Sequence, residues 1–410
     1  MTLFPQKLLP GAATAPTEDD ARVSRVLDSL RASVAAITEE QIHITEIPAP
    51  TFHEAARAAY MKKLLSAAGL RAELDPAGNV VAEYPGSSAD VVMVVAHLDT
   101  VFPAGTNVTV KREAGKLLAP GISDNGTGLA ALVGIARAFR EARVPTKCTV
   151  LFVADVGEEG EGNLRGIRAL VETYKKKLKN VIALDGSSTE YVTTAALASK
   201  RVEITVTGPG GHSWSDFGAP NPIHALGRAI AHFVSTRAPE SPRTSFNIGQ
   251  IEGGTSVNSI PERAAMKVDL RSESETELGQ LEVALREALQ TGVEEEMAAA
   301  RARGMAGGGN NLELKIAILG VRPAGELPDN SPLLAALAAA DTRLGNRSRH
   351  ERSSTDANIP LSLGIPAISL GAGGRSGGAH TLAEWYDPAG RELGLQRVAL
   401  TLLGVAGIEP

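Results

Sequence analysis

The stretch VVMVVAHLDT, residues 91–100, decides the fold of this chain. Its first six residues are all apolar, which is typical of a short strand buried on both faces. The run ends abruptly at His97, Leu98 and Asp99. A lone histidine after an apolar run is more often structural than a ligand, so its interpretation depends on whether other strands end in the same way.

Three further apolar runs of strand length follow, at residues 150–154, 181–184 and 366–370. Helical stretches separate them, and this alternation predicts a doubly wound, mostly parallel α/β sheet. The residues just beyond these runs are Glu158 and Glu159, then Asp185, and finally a glycine-rich loop that leads to His380. Ligands of open α/β sheets bind beyond the carboxyl ends of the strands, so we expect these side chains to lie together.

A loop before the helix predicted at residues 129–142 carries a further acid. The segment APGISDNGTG, residues 119–128, places Asp124 near the start of that helix. Aspartate is a common helix N-cap, so this position alone favours capping over metal binding.

The organisation changes between residues 199 and 319. Alternating runs predict strands at 200–207, 244–251, 264–271 and 312–319, and helical patterns occupy 222–236 and 275–303. The order β-α-β-β-α-β is that of a split βαβ, ferredoxin-like sandwich. We therefore predict a catalytic domain of residues 1–198 and 320–410 with an inserted domain of residues 199–319. Towards the N-terminus, helices are predicted at 18–46 and 53–68 and strands at 71–74 and 80–84.

Composition excludes several classes of protein. The net charge is -6 and no long basic run occurs, so a nucleic-acid partner is not expected. No apolar run is long enough to span a bilayer, so no membrane partner is expected. The single cysteine, Cys148, cannot form an intramolecular disulfide, which fits a reducing compartment and a cytoplasmic location. Residues 1–16 are interpreted as a flexible leader, although their alanine-rich end leaves export open.

The acids and imidazoles at the strand ends have the chemistry of a metal site. Mixed histidine and carboxylate ligation suits zinc and its divalent neighbours, whereas calcium and magnesium prefer oxygen alone. The set is large enough for two metal ions that share one bridging carboxylate.

Seven motifs in order resemble the signatures of the M20 family of metallopeptidases and amidohydrolases. The resemblance runs from about residue 49 to residue 387, and chance agreement of so many ordered motifs is very improbable, whereas HxD alone would be weak. The motifs are AHLDT, GISDNGTG, GEEGEG, ALDG, GPGGHSW, GGTSVNSIPE and AHTLAEW.

The resemblance implies a role for each residue at the strand ends. One zinc would be held by His97 and Asp185, a second by Glu159 and His380, and Asp124 would bridge them. Asp99 would orient His97 without binding metal. Glu158 would be the general base. Relatives often have a cis peptide bond between Asp124 and Asn125.

The inserted domain carries further residues that the resemblance marks as functional. His212 would reach across a dimer interface and stabilise the oxyanion of the partner's reaction, although a strand-end histidine can also merely contact solvent. Asn258 would contact substrate. Arg271 is either a substrate contact or a structural cation, and Gly373 lies in a glycine-rich loop that either binds a substrate carboxylate or only needs positive φ values.

The leading hypothesis is a hydrolase with two zinc ions per subunit that acts as an exopeptidase on di- or tripeptides. Co²⁺ or Mn²⁺ would fit the same ligands. The alternative within the family is an amidohydrolase of N-acyl amino acids, and in either case a homodimer through the inserted domain is expected. An alternative from another class is a nucleotide-binding protein that uses the glycine-rich loop 371–378, but the loop lacks the G-x-G-x-x-G spacing.

Overall fold

The computed structural model describes residues 20–305 and 311–409. The predicted leader, residues 1–16, lies outside the described residues. Among the helices in the described ranges, none combines the length and the apolar character needed to cross a membrane.

The helices are distributed along the whole described chain. In chain order they are α1 (Ala21–Ala32), α2 (Val34–Thr45), α3 (Ala55–Ala67), α4 (Gly126–Ala142), α5 (Arg165–Tyr174), α6 (Pro222–Phe233), α7 (Glu275–Ala302), α8 (Pro332–Leu344), α9 (Asn358–Ser362) and α10 (Arg391–Ala406), with one 3₁₀ turn at Gly160–Gly162.

The strands differ widely in length. In chain order they are β1 (Arg71–Leu74), β2 (Val80–Tyr84), β3 (Val91–His97), β4 (Lys111–Glu113), β5 (Lys116–Leu118), β6 (Thr149–Asp155), β7 (Leu178–Leu184), β8 (Tyr191–Ala196), β9 (Ala198–Thr207), β10 (Gly211–His212), β11 (Thr244–Gly253), β12 (Ser259–Ile260), β13 (Arg263–Ser272), β14 (Glu313–Arg322), β15 (Gly325–Glu326), β16 (Arg349–Ser353), β17 (Ala367–Leu370), β18 (Arg375–Gly377) and β19 (Trp385–Asp387).

The chain folds into two compact units, and the first comprises residues 1–196 and 325–410. Its large sheet has the strand order β1-β2-β6-β3-β7-β17-β8-β15, with β16 paired to β8. The central strands β6, β3, β7 and β17 pair in parallel, whereas β2 and β8 join them antiparallel. The predicted fold class, a mostly parallel α/β sheet, is confirmed.

Strand β3, which contains the apolar run of residues 91–96, lies in the centre of this sheet between β6 and β7. All seven residues of β3 are buried, which requires that both faces of the strand are covered. Helix α4 is buried along most of its length and contacts β3, β6 and β7. The carboxyl ends of the parallel strands therefore emerge together from a rigid core.

The single helix predicted at residues 18–46 is wrong in one respect, because the structure divides it at Ser33. The amide of Ser33 still donates to Ser29 and Leu30, but its ψ of 0° ends the helical path. Helix α1 packs against α4 and α10, whereas α2 packs against α4. The apolar spacing continues across the break, and this is why periodicity alone did not reveal it.

The second unit, residues 197–324, is a four-stranded antiparallel sheet with two helices. The sheet order is β11-β13-β9-β14, and α6 and α7 pack against each other and against β9 and β13. The predicted order β-α-β-β-α-β is confirmed, with a small additional pair formed by β10 and β12. The predicted domain limits at residues 199 and 319 fall inside this unit.

Candidate metal centre

Three neighbouring strands of the large sheet deliver side chains to one edge. His97 is the last residue of β3, the pair Glu158 and Glu159 follows β6, and Asp185 follows β7. Because these strands are parallel, their carboxyl ends lie at the same edge.

The first candidate ligand group consists of His97, Asp124 and Asp185. The Nε2 atom of His97 lies 3.1 Å from Oδ1 of Asp124 and 3.9 Å from Oδ1 of Asp185. The ligand atoms of the group all lie within 4.8 Å of one another. His97 is buried, and its other ring nitrogen, Nδ1, lies 3.0 Å from the backbone oxygen of Asp99.

The second group consists of Asp124, Glu159 and His380. The Nε2 atom of His380 lies 3.0 Å from Oδ2 of Asp124 and 3.1 Å from Oε1 of Glu159. Each oxygen of Asp124 thus faces a different histidine, and Asp124 belongs to both groups. The structure therefore brings together all five residues predicted as metal ligands.

Asp124 does not cap helix α4. The neighbouring residue Asn125 does so, because its side-chain oxygen accepts from the amide of Gly128. The side-chain nitrogen of Asn125, Nδ2, donates to the backbone oxygen of Leu184, the residue directly before Asp185. The peptide bond between Asp124 and Asn125 is cis, as the resemblance implied. The carboxylate of Asp124 is consequently available to the site.

The carboxylates of the site favour positive charge between them. Burial opposes protonation of His97, but the carboxylates of Asp124 and Asp185 outweigh it and raise its pKa well above 6.5. Hydrogen bonds with Asp124 and Glu159 raise the pKa of His380 to about 10. Burial by itself would raise the pKa of Asp124, but the two histidines lower it below its usual value. Both imidazoles thus hold protons that a divalent cation would replace, so the donor set fits a metal site.

Asp99 was predicted to orient His97 without binding metal, and in the structure its backbone oxygen contacts His97 while its carboxylate has other partners. It accepts hydrogen bonds from the backbone amides of Glu158 and Glu159, each at 3.0 Å, and from the hydroxyl of Thr51 at 2.8 Å. Its Oδ1 lies 3.7 Å from Nδ1 of His97, which is beyond hydrogen-bond distance. The backbone oxygen of Asp99 orients His97, whereas its carboxylate fixes the backbone of the two glutamates.

Glu158 also lies at this edge. It forms a third group with His97 and Glu159, again with ligand atoms within 4.8 Å of one another. Only 5% of its surface is exposed. The residue predicted as the general base is therefore enclosed beside the candidate ligands.

The second unit brings two other predicted residues together. In the β10–β12 pair, His212 lies opposite Ser259, and the amide of Ser213 donates to the backbone oxygen of Asn258. Nδ1 of His212 accepts from the backbone amides of Trp214 and Ser215, at 3.1 and 3.3 Å. In the neutral ring the proton is then on Nε2, which makes that atom a hydrogen-bond donor.

Arg271, the other candidate in this unit, is engaged within its own strand. Its Nε lies 2.6 Å from Oδ2 of Asp269, and Asp269 also contacts Arg201. Two-fifths of the Arg271 side chain is exposed. The ion pair with Asp269 therefore favours a structural role for Arg271, one of the two roles that the sequence left open.

Of the two roles that the sequence left open for Gly373, its contacts favour the conformational one. Its backbone N–H donates to Ser187, and its backbone oxygen accepts from the hydroxyl of Tyr386. The φ of Gly373 is 88°, and a Cβ there would lie 2.3 Å from the backbone oxygen of Arg391. Glycine is required for conformation and packing, and neither polar backbone group is directed to a ligand.

The same contacts argue against a nucleotide site in the loop 371–378. The amide of Ala372 donates to Gly186, so a second backbone donor of the loop is occupied. The loop continues into strand β18, not into a helix whose N-terminus could hold a phosphate.

Three buried acids near the site, Glu384, Asp155 and Asp356, were not among the predicted site residues. Glu384 accepts four hydrogen bonds from the loop that carries Asp124. Asp155 lies beside His97 in the register of β6 and β3, and Asp356 is close enough to interact with it. Glu384 could have been found, because it lies within the motif AHTLAEW, four residues after His380. For Asp155 the sequence offers no spacing signal, whereas Asp356 follows Ser354 and Thr355 in a cluster that is typical of a helix start.

The edge of a parallel sheet, with His97, the loop residue His380 and several carboxylates close together, is the arrangement of an α/β protein with a candidate metal site. The family model described as peptidase family M20/M25/M40 matches residues 93–403. The chain therefore belongs to this family, and it is a hydrolase.

Two of the following similar proteins cover most of the chain, and one covers about half of it. The YqjE protein of Bacillus subtilis strain 168 is 24% identical over 353 residues, 82% of this chain and 90% of YqjE. A succinyl-diaminopimelate desuccinylase of Psychrobacter sp. PRwf-1 is 30% identical over 210 residues, 47% of this chain and 52% of that enzyme. The crystal structure of aminopeptidase PepT from Bacillus cereus superposes with a TM-score of 0.68 at 22% identity and covers 91% of this chain and 99% of PepT.

Proposed function

We propose that this protein is a two-metal hydrolase of amide bonds in small substrates, with zinc as the preferred ion. The observation that carries the proposal is the position of Asp124 between two ligand groups, each completed by one histidine and one further carboxylate. Imidazole with carboxylate suits Zn²⁺, Co²⁺ and Mn²⁺. His97 and Asp185 would hold one ion, Glu159 and His380 the other, and Asp124 both.

Such ions, when bound, polarise the substrate carbonyl and lower the pKa of water. The chain itself supplies the proton transfer. Glu158 is buried next to Glu159 and is the carboxylate of this cluster that the ligand assignment leaves unused. It would take a proton from the attacking water and pass it to the departing amine. Asp99 supports this role because it holds the backbone amides of both glutamates.

His212 would stabilise the negative charge that develops on the carbonyl oxygen. With Nδ1 occupied by two backbone donors, Nε2 carries the proton and can donate to an oxyanion. Following the family resemblance, we propose that this residue acts on the site of a second copy in a homodimer.

A di- or tripeptide exopeptidase is the first choice of activity, and the chain-wide similarity to an aminopeptidase of known structure supports it. An N-acyl amino acid amidohydrolase is the second choice, which the 30% identity to a desuccinylase over about half the chain favours. A panel of di- and tripeptides alongside N-acetyl and N-succinyl amino acids distinguishes them. Preference, by kcat/KM, for the acylated compounds would reverse the order.

The substitution Glu158→Gln tests the mechanism. It keeps the shape of the side chain but removes the base, so turnover of the best substrate should fall by about 10²–10⁴-fold with metal content unchanged. The matched control is Glu172→Gln, an exposed glutamate of helix α5, which should leave turnover as it is. Near-normal turnover by a fully metallated Glu158→Gln variant would refute the proposed mechanism.

A further inference from the structure

Glu384 is a fully buried carboxylate that accepts hydrogen bonds from the backbone of one loop. Its Oε1 accepts from the amide of Ser123 at 2.8 Å, the hydroxyl of Ser123 at 2.7 Å and the amide of Asp124 at 2.9 Å. Its Oε2 accepts from the amide of Gly121 at 2.8 Å. Four donors from residues 121–124 therefore converge on one side chain.

The same residue is tied to the loop that carries His380. Between His380 and Glu384 the chain makes a tight turn, with the amide of Thr381 donating to Gly378 and that of Glu384 donating to Thr381. The backbone oxygen of Glu384 accepts from the amide of Ala119, and β19 directly after it pairs with β5. Glu384 thus connects the segment of His380 to residues 119–124 at two places. Its backbone oxygen binds Ala119, and its carboxylate binds residues 121–124.

We propose that Glu384 is a positioning residue that sets the distance between Asp124 and His380 and thereby the affinity of the site for metal. The two ligands touch, with Nε2 of His380 3.0 Å from Oδ2 of Asp124. Neither belongs to a regular strand or helix, and the hydrogen bonds of Glu384 connect their two segments next to the ligands themselves. The inference rests on the proposed two-metal function.

An amide cannot replace this carboxylate. All four groups that face Glu384 are donors, and a glutamine has only one acceptor oxygen. If the glutamine oxygen takes the Oε1 position, its NH₂ group takes the Oε2 position and faces the N–H of Gly121. If the side-chain amide is flipped, the NH₂ group takes the Oε1 position and faces the three donors of Ser123 and Asp124. In either case two donors oppose each other in a buried place, and the loop of Asp124 has to move.

The test is metal binding by the full-length protein after chelation. We expect Glu384→Gln to weaken Zn²⁺ binding, measured by competition with a chromophoric chelator, by about 10–100-fold. The visible absorption of the Co²⁺-loaded protein should also change, because that spectrum reports ligand geometry. Ser123→Ala, which removes one donor of the four, should show a smaller loss of affinity. The control is Glu113→Gln, which makes the same change of charge at an exposed glutamate of strand β4.

Each outcome decides the inference. A lower melting temperature of Glu384→Gln with unchanged Zn²⁺ affinity and an unchanged Co²⁺ spectrum would mean that Glu384 only stabilises the fold, and the inference would be wrong. If Glu384→Gln does not fold, Ser123→Ala decides, and wild-type affinity in that variant overturns the inference. A wild-type protein that binds no metal would instead refute the proposed function itself.

Discussion

At the scale of single residues, two buried acids lie behind the metal site without belonging to it. Asp155 has no exposed surface and Asp356 is 3% exposed. Burial raises the pKa of Asp155 to about 7, against an ordinary value of 3.8, and burial together with the charge of Asp155 raises the pKa of Asp356 well above its ordinary value. His97 favours the ionised form of Asp155, whereas Asp99 opposes it. Between pH 4 and pH 7 the folded protein therefore binds a proton here that the unfolded chain releases.

This difference predicts how stability depends on pH. Because the folded-state pKa of Asp155 is raised, its contribution becomes unfavourable as pH rises from about 4 to about 7, by the order of a few kcal/mol. Asp155→Asn removes this loss of stability, because asparagine does not ionise. The melting temperature of the variant minus that of wild type, both without metal, should therefore be larger at pH 8 than at pH 5. Asp329→Asn, an exposed control, should show the same difference at both pH values. An identical pH profile for Asp155→Asn and wild type would contradict the prediction.

Asp99 marks how far sequence reasoning reaches at this scale. Its place beside the site followed from the end of one apolar run. Its contacts did not, because the amides that bind its carboxylate belong to residues 158 and 159, about 60 positions away in the chain. Such contacts depend on which strands are neighbours, and spacing along one strand cannot show this.

At the scale of elements, the strands that contain a largely apolar run were predictable, whereas the three-residue strands were not. Strands β3, β6, β7 and β17 each contain such a run, which periodicity detects. The small sheet of order β18-β19-β5-β4 is built from three-residue strands, too short for any pattern. It adjoins the segment of His380 and Glu384, so the elements that periodicity does not detect lie next to one of the missed carboxylates.

The contact between α6 and α7 in the second unit depends on one glycine. A Cβ at Gly292 would lie 2.5 Å from the backbone nitrogen of Ala229 and 2.7 Å from the backbone oxygen of Ala225. These are backbone atoms of helix α6 and cannot turn aside as a flexible side chain could. The two helices would have to separate.

Gly292→Ala should therefore destabilise the protein despite the better helix propensity of alanine. We expect a loss of about 1–3 kcal/mol from overpacking, seen as a lower melting temperature by circular dichroism. Helix α7 contains its own control, because nothing lies within 4 Å of a Cβ placed on Gly279. Gly279→Ala should stabilise the helix by about 1 kcal/mol. Equal shifts in the two variants would show that the helices are not in close contact at Gly292.

At the scale of the whole molecule, the second unit exposes apolar side chains next to His212. Trp214 is 86% exposed, Phe217 70%, and Val257 lies fully in solvent. Apolar side chains clustered on a surface are typical of an interaction site. Sequence analysis assigned this unit to dimerisation by family resemblance alone, since neither periodicity nor motif spacing can tell which surfaces meet a second copy. The exposed residues beside His212 support that proposal.

If His212 serves the site of a partner, two inactive variants should restore each other. Glu158→Gln and His212→Ala, co-expressed with different tags and purified as a mixed dimer, would combine an intact Glu158 from one chain with an intact His212 from the other. One of the two sites is then complete, so the mixed dimer should have about half of the wild-type activity. If His212 acts within its own chain, neither site is complete and the mixed dimer should be inactive. Sedimentation that gave a fully active monomer would likewise exclude the role in trans.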